Sequence, residues 1–362
     1  MKTLEINKLY YPVIGGIETV VKEIAEGLNG RDNLHVDVLA CQKKGKRQEE
    51  IINGIRVYKA ASFGKVLGMP LSFDFFRLFF KIKNNYDLII LHYPFPLAAF
   101  LAPFIPKDQL IIYYHSDIIR QKFLSHLLFP VISVSLRRAK KILVSGINIV
   151  NYSSILNKFK SKCEVIPYGI DFDLKAEDYN AASKIKARYF GQPLLLSIGR
   201  LVYYKGFEYV VRSMVDVEAT LLIIGEGPLK NGLIRLINEL NLQNKVFIIS
   251  PQPRLTAFLL ASDIFIFPSI ERSEAFGLVQ LEAMAAGLPV INTYLHTTVE
   301  EVSLNEVSGL TVKAKNSKAL AEAINKLLNQ EQLRIDYGTN ARQRYLRLFT
   351  KDVYLKKLKK LL

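Results

Sequence analysis

Four stretches of the sequence set chemically capable residues directly after apolar, strand-like runs. In IGRLVYYKGFEYV (198–210), Arg200 and Lys205 follow such a run, with Gly199 and Gly206 beside them. A guanidinium forks onto phosphate oxygens and an ammonium adds a compact positive charge. Glycines let backbone come close to a ligand. Taken alone, the stretch reads equally well as a strand-to-helix turn with two solvated cations. In RSEAFGLVQLEAMAAGLPVI (272–291), Glu274 and Glu282 are separated by seven residues. A helix is expected to begin at Gly277, with Glu282 about a turn and a half inside it. Amides near Phe276, Gly277, Leu278 and Val279 would then form an anion site assisted by the helix dipole, suited to a diphosphate. Glu274 would accept hydrogen bonds from sugar hydroxyls, and Glu282 from a ribose. Two glutamates at this spacing are common by chance; the whole string is far more specific.

The other two stretches lie in the first half. In YYHSDII (113–119), His115 ends a strand and is followed by Ser116 and Asp117. A strand-end histidine beside a cleft serves as a hydrogen-bonding group or proton relay, although a structural histidine is the commoner use. His115 and Asp117 join Glu274 as catalytic candidates. In YPVIGGIETVV (11–21), Gly15 and Gly16 form a backbone-amide loop able to approach a phosphate or a sugar, or an ordinary turn. Neither this loop nor GEGPLK (225–230) spells GxGxxG, so neither argues for a dinucleotide.

Such residues need strands to hold them. Runs at 4–9, 35–40, 87–93, 109–115, 141–146 and 163–169 read as one series of strands. A second series lies at 193–199, 219–225, 245–249, 263–269 and 288–293. Continuous apolar strands alternating with helical periods predict parallel sheets covered on both faces. Ile17, Val20, Val21, Ile24 and Leu28 form one such helical stripe. Two series predict two doubly wound α/β domains, in which ligands bind beyond the carboxyl ends of the strands. The boundary is expected near IPYGIDFDLKAED (166–178), giving domains at 1–168 and 169–340 and a final helical segment at 341–362.

The 362 residues suit two domains, and a composition half hydrophobic and 23% charged can build two cores. Cys41 and Cys163 offer no disulfide framework or zinc pattern, which favours a reducing compartment. The N-terminus shows no apolar signal core, so no secretory signal is expected, and no uninterrupted apolar run predicts a spanning helix. The net charge of +16 points to an anionic partner: nucleic acid, membrane surface or substrate. No helix-turn-helix, zinc or RNA-binding signature supports nucleic acid.

Nearly end to end, the chain resembles the family-four retaining glycosyltransferases. The resemblance rests on Gly15-Gly16, HSD (115–117), IPYGID (166–171), IGRLVYYKG (198–206), IIGEGP (223–228) and RSEAFGLVQLEAMAAGLPVI (272–291). HSDIIRQK (115–122) is similar to mannosyltransferases of bacterial O-antigen and polysaccharide assembly, many of which use GDP-linked sugars. The resemblance implies a GT-B fold, with two Rossmann-like domains facing a central cleft: an acceptor domain, a donor domain and a last helix returning to the first. It implies that Arg200 and Lys205 hold the donor diphosphate. Glu274 and the amides of Phe276, Gly277, Leu278 and Val279 hold the transferred sugar, and Glu282 the ribose. Gly15 and Gly16 close over the donor, and His115 lies at the reacting sugar. Ser250 and Pro251 fall near the base, where the family often carries a glycine.

The chemistry then needs a leaving nucleoside diphosphate and an oxocarbenium-like sugar. Arg200, Lys205 and a helix N-terminus would carry the developing charge in place of a metal. DFD (171–173) spells Asp-x-Asp but lies in the linker, so no metal and no cofactor beyond the nucleotide-sugar, GDP-mannose or another GDP- or UDP-sugar, is expected. The expected acceptor is a lipid-linked or polysaccharide chain. Segment 71–83, LSFDFFRLFFKIK, reads either as a helix in a membrane interface or as one packed on the first sheet. With the positive charge, this gives an expected place at the inner face of the cytoplasmic membrane. A sugar-nucleotide epimerase of the same fold is the competing enzyme reading.

Overall fold

The computed structural model describes residues 1–13, 15–66, 69–117, 122–189 and 191–362, with the side chains of 66 and 122–127 excepted. It divides into two compact units, Met1–Tyr168 with Lys351–Leu362, and Gly169–Thr350.

The first unit holds β1 (Lys2–Ile6), β2 (His35–Cys41), β3 (Gln48–Ile52), β4 (Ile55–Ala60), a small ribbon of β5 (Lys65–Val66) and β6 (Met69–Pro70), β7 (Leu88–Tyr93), β8 (Leu110–Tyr114), β9 (Lys141–Val144) and β10 (Cys163–Val165). Its main sheet runs β10-β9-β8-β7-β1-β2-β4-β3. All neighbours pair in parallel except β3 with β4. β3 and β4, outside the expected strand series, thus add one antiparallel edge to the expected parallel sheet. There Asn53 and Gly54, both at positive φ (50° and 82°), make the tight hairpin turn that an Asn-Gly pair favours. β1 stops at Ile6, short of the expected residue 9, because the buried Asn7 side chain folds onto the Leu9 carbonyl (2.8 Å). The Gly16–Leu28 helix buries Val20, Val21, Ile24 and Leu28, four members of the expected stripe.

The second unit carries β11 (Leu194–Ile198), β12 (Thr220–Ile224), β13 (Val246–Ile249), β14 (Ile264–Phe267), β15 (Val290–Tyr294) and β16 (Gly309–Lys313). They form an all-parallel sheet ordered β13-β12-β11-β14-β15-β16. Leu195, Leu221, Ile223, Ile264, Ile266 and Ile291 pack beneath helices carrying Phe207, Val210, Leu233 and Ile324. In both units the strand order reverses beside the first strand. The reversal lies between β1 and β7, and between β11 and β14. Such a switch point leaves a crevice at the carboxyl ends of the strands.

The final segment differs from expectation. The Glu331–Leu348 helix belongs to the second unit, and the chain rejoins the first at Lys351 rather than at 341. The reason is bonding to residues distant in sequence: Arg344 donates to the Val302 and Glu301 carbonyls (2.9 and 2.7 Å), and the Tyr345 hydroxyl to the Ile170 carbonyl (3.0 Å). The Lys351–Lys359 helix then pairs Lys351 with Glu23 (2.6 Å) and buries Tyr354, Leu355 and Leu358.

Candidate active site

Arg200 and Lys205 follow β11, and Glu274 follows β14, so the candidates of the second unit flank its switch point. Backbone bonds knit the loops there. The Leu201 amide donates to the Glu226 carbonyl (2.9 Å), and the Ile270 amide to the Tyr204 carbonyl (2.8 Å). Gly206 sits at φ 67°, where a Cβ would strike the Pro268 carbonyl, so only glycine lets the Lys205 turn press on the loop after β14. Lys205 Nζ lies 2.6 Å from Glu274 Oε2, both side chains largely buried. The ammonium also stands 5.0 Å above the Phe267 ring, and the Ser269 hydroxyl reaches Glu274 Oε2 at 3.4 Å. Arg200 is exposed and, among the described residues, makes no ion pair.

The Glu274 backbone is pinned on two sides: its amide donates to Glu271 and its carbonyl accepts the Thr297 hydroxyl (both 3.0 Å). The helix expected at Gly277 begins at Val279 instead and runs to Ala285. Gly277 is left-handed (φ 79°), with the Phe267 ring where a Cβ would go, so the backbone must turn there before it can enter the helix. Glu282 therefore lies in the first turn, not deeper. Burial pushes its carboxyl up to about 7. The amides of Leu278 and Val279 open the helix and have no partner within it.

A buried scaffold that the sequence reading did not single out holds this loop. Gln280 donates to the Phe276 carbonyl (3.0 Å). The Asn292 amide reaches Gln280 Oε1 (3.2 Å) and the Val299 carbonyl (3.0 Å), while Thr311 donates to Asn292 Oδ1 (2.7 Å). Only the polar Gln280 and Asn292 within apolar runs hinted at it. DFD (171–173) has another use: Arg254 clamps Asp173 (3.3 Å) and Asp178 (2.7 Å). This clamp holds Asp178 down to about 2 through the guanidinium bond. Among the described residues no cluster of three His, Cys, Asp or Glu gathers to hold a metal. Ser250 and Pro251 follow β13 and are exposed.

In the first unit, Gly15 and Gly16 follow β1, and Gly15 is the extended cap of the Gly16–Leu28 helix. The Glu18 carboxylate folds back so closely that any Cβ on residue 15 would collide with it. Ile14 lies outside the described residues, as do residues 118–121 of HSDIIRQK. Asp117 Oδ1 accepts the Tyr114 and Ser153 hydroxyls (2.8 and 2.7 Å), which commits that oxygen to the loop. His115 is 3% exposed. Its Nε2 faces His92 Nδ1 at 2.8 Å, and its Nδ1 bonds the Tyr168 hydroxyl. His92 Nε2 in turn bonds Glu5. Burial first, and then His92, drive the His115 ring well below the usual histidine range. Both ring nitrogens of His115 are therefore engaged within the first unit.

Segment 71–83 is divided by its own periodicity. The Asp74–Ile82 helix buries Phe75, Leu78, Phe79 and Ile82, so the interfacial reading fails for Phe75 and Phe79. Phe73 (83% exposed), Phe80 and Leu71 remain outside. No helix among the described residues is long and apolar enough to cross a membrane.

Residues 14–174 match the Glycosyltransferase Family 4 family, and residues 178–344 match Glycosyl transferases group 1. The O-antigen chain mannosyltransferase C of Escherichia coli is 30% identical over 357 residues, 97% of this chain and 95% of that one. The chain belongs to the family-four glycosyltransferases. D-rhamnosyltransferase WbpZ of Pseudomonas aeruginosa is 29% identical over 97% of this glycosyltransferase and 92% of its own length. Among solved structures, the sucrose-phosphate synthase of Thermosynechococcus elongatus superposes with a TM-score of 0.80 at 22% identity, covering 99% of this chain and 98% of that one. The fold is GT-B, two α/β units with parallel sheets.

Proposed function

We propose that this glycosyltransferase moves mannose or a related hexose, with retention, from a GDP-sugar onto a lipid-linked or polysaccharide acceptor in O-antigen assembly. The observation that carries this reading is the Lys205–Glu274 pair beside the switch point of the second sheet. A buried cation and a buried carboxylate are expensive to desolvate, and here each neutralises the other. A nucleotide-sugar offers both a new partner: the diphosphate for Lys205 and sugar hydroxyls for Glu274. Arg200, exposed and unpaired among the described residues, adds the second cation. Positive charge would grow in value as the diphosphate leaves, which lowers the barrier without a metal. The likeness over 97% of the chain to an O-antigen mannosyltransferase supports the sugar and the pathway.

A 6-deoxyhexose donor is the second reading, favoured by the similarly extensive likeness to a D-rhamnosyltransferase. Work at the inner face of the cytoplasmic membrane fits a lipid-linked acceptor and the +16 charge. A screen of GDP-, UDP- and dTDP-sugars read by product mass tests the proposal. Turnover of GDP-mannose with the anomeric configuration kept, in the presence of EDTA, is the expected result. Turnover confined to UDP-sugars, or lost with chelator and restored by Mg²⁺, would overturn it.

A further inference from the structure

Glu5, His92, His115 and Tyr168 form one unbroken chain of hydrogen bonds through the interior of the first unit. Glu5 comes from β1 and His92 from β7, His115 follows β8, and Tyr168 is the last residue before the chain passes into the second unit. Glu5 and His92 are 0% and 1% exposed, and Tyr168 is 5% exposed. The two imidazole planes are within 7° of parallel, and Tyr113 stacks on His115 at 4.7 Å.

The roles along the chain follow from what each group can do. Glu5 as a carboxylate only accepts, so His92 Nε2 carries the proton and His92 Nδ1 is an acceptor. His115 Nε2 must then carry a proton, and His115 Nδ1 accepts from Tyr168. Both rings are satisfied while neutral, and every bond points toward Glu5. The groups packed against His115 are His92, Tyr113 and Tyr168, with Tyr354 behind Tyr168. None of them is a carboxylate that would favour an imidazolium there.

We propose that Glu5 and His92 are positioning residues of the transfer reaction, holding His115 as a neutral, single-tautomer ring that takes no part as general acid or base. This rests on the reading that residue 115 lies at the reacting sugar. A ring with both nitrogens committed cannot compete for the acceptor's proton. Its value is rigidity: the strand end carrying residue 115 cannot shift without breaking the chain. Errors in such support cost turnover rather than affinity.

The experiment is ¹⁵N-histidine NMR on the full chain, joined to steady-state kinetics of Glu5→Gln and Tyr168→Phe. The expected spectrum shows His92 and His115 as Nε2–H tautomers, with a His115 ring that does not titrate between about pH 5.5 and about pH 8.5. Glu5→Gln should lower kcat about ten- to a hundred-fold, the scale seen when a partner behind a histidine ligand is removed. KM for the donor and affinity for free nucleoside diphosphate should stay within about twofold. Tyr168→Phe should lower kcat in the same sense, and it carries the kinetic test should Glu5→Gln fail to fold. A titrating or Nδ1-protonated His115, or wild-type kcat in a folded Glu5→Gln, would overturn the proposal. Fixed tautomers in a wild-type protein that turns over no nucleotide-sugar would remove the reaction role together with the transferase reading. Undiminished kcat in the variants of an active enzyme removes the positioning role alone.

Discussion

The switch points of the two sheets are built alike and furnished differently. Beside β11 and β14, an exposed Arg200 and the Lys205–Glu274 pair offer charges that a ligand can redirect. Beside β1 and β7, Glu5, His92 and His115 are bonded to one another before any ligand arrives. Charge that can change partner suits the capture of an anionic donor. A closed chain of hydrogen bonds suits a support that must not move. One topology thus supplies an adaptable half and a rigid half.

Breaking the adaptable half should have the largest effect. Glu274→Ala is expected to lower kcat by about a hundred- to a thousand-fold, the scale of a lost transition-state contact. Affinity for free nucleoside diphosphate should hold or rise, because Lys205 is released. Calorimetry with free GDP beside initial-rate kinetics separates the two, and equal losses in both would remove the sugar role of Glu274.

Next come the cations. Arg200→Ala and Lys205→Ala should each weaken nucleoside diphosphate binding by about 1.5–3 kcal/mol, the worth of a charge-assisted hydrogen bond. They should differ in stability. Lys205→Ala strands the buried Glu274 carboxylate and should lower Tm, whereas Arg200→Ala should leave it unchanged. Thermal melts of the two variants check this, and equal Tm values would deny the ion pair its place in the empty protein.

A smaller effect concerns Glu282, whose folded carboxyl titrates at about 7 against an ordinary 4.5. Between those values the folded chain keeps a proton that the unfolded chain has lost, so this group's contribution to stability falls as pH rises through the window. Ribose hydroxyls need the ionised form as acceptor. Nucleoside diphosphate affinity should therefore rise with pH up to about 7, by at most about tenfold per unit. Glu282→Gln should remove that part of the slope; titrations of both proteins at about pH 6 and about pH 8 measure it.

The smallest effect belongs to the surface of the first unit. Phe73→Ser and Phe80→Ser should weaken partition onto anionic liposomes by about 1–2 kcal/mol each, the apolar area of a partly inserted ring, while leaving the fold intact. Sedimentation with vesicles reads it. Unchanged binding by the double variant would place membrane contact elsewhere.

The sequence by itself determined the two strand series, the boundary region, and the loops that carry Arg200, Lys205, Glu274, His115 and Gly15-Gly16. Apolar runs and the residues that follow them are local patterns, and a parallel sheet puts whatever follows a strand at one edge. The β3–β4 hairpin was also written locally, in Asn53-Gly54, and is legible once that pair is weighed. Only the tertiary structure decided who partners whom. Glu5, His92 and Tyr168 are scattered between residues 5 and 168, and no spacing reveals that β1, β7 and β8 lie side by side and aim them at His115. The start of the helix at Val279 depended on the Phe267 ring behind Gly277, and the end of the second unit at Thr350 on Arg344 and Tyr345 reaching distant carbonyls. The physical reason is the same each time. A strand's existence follows from its own hydrophobicity, whereas the protonation, tautomer and freedom of a side chain follow from neighbours that folding brings together.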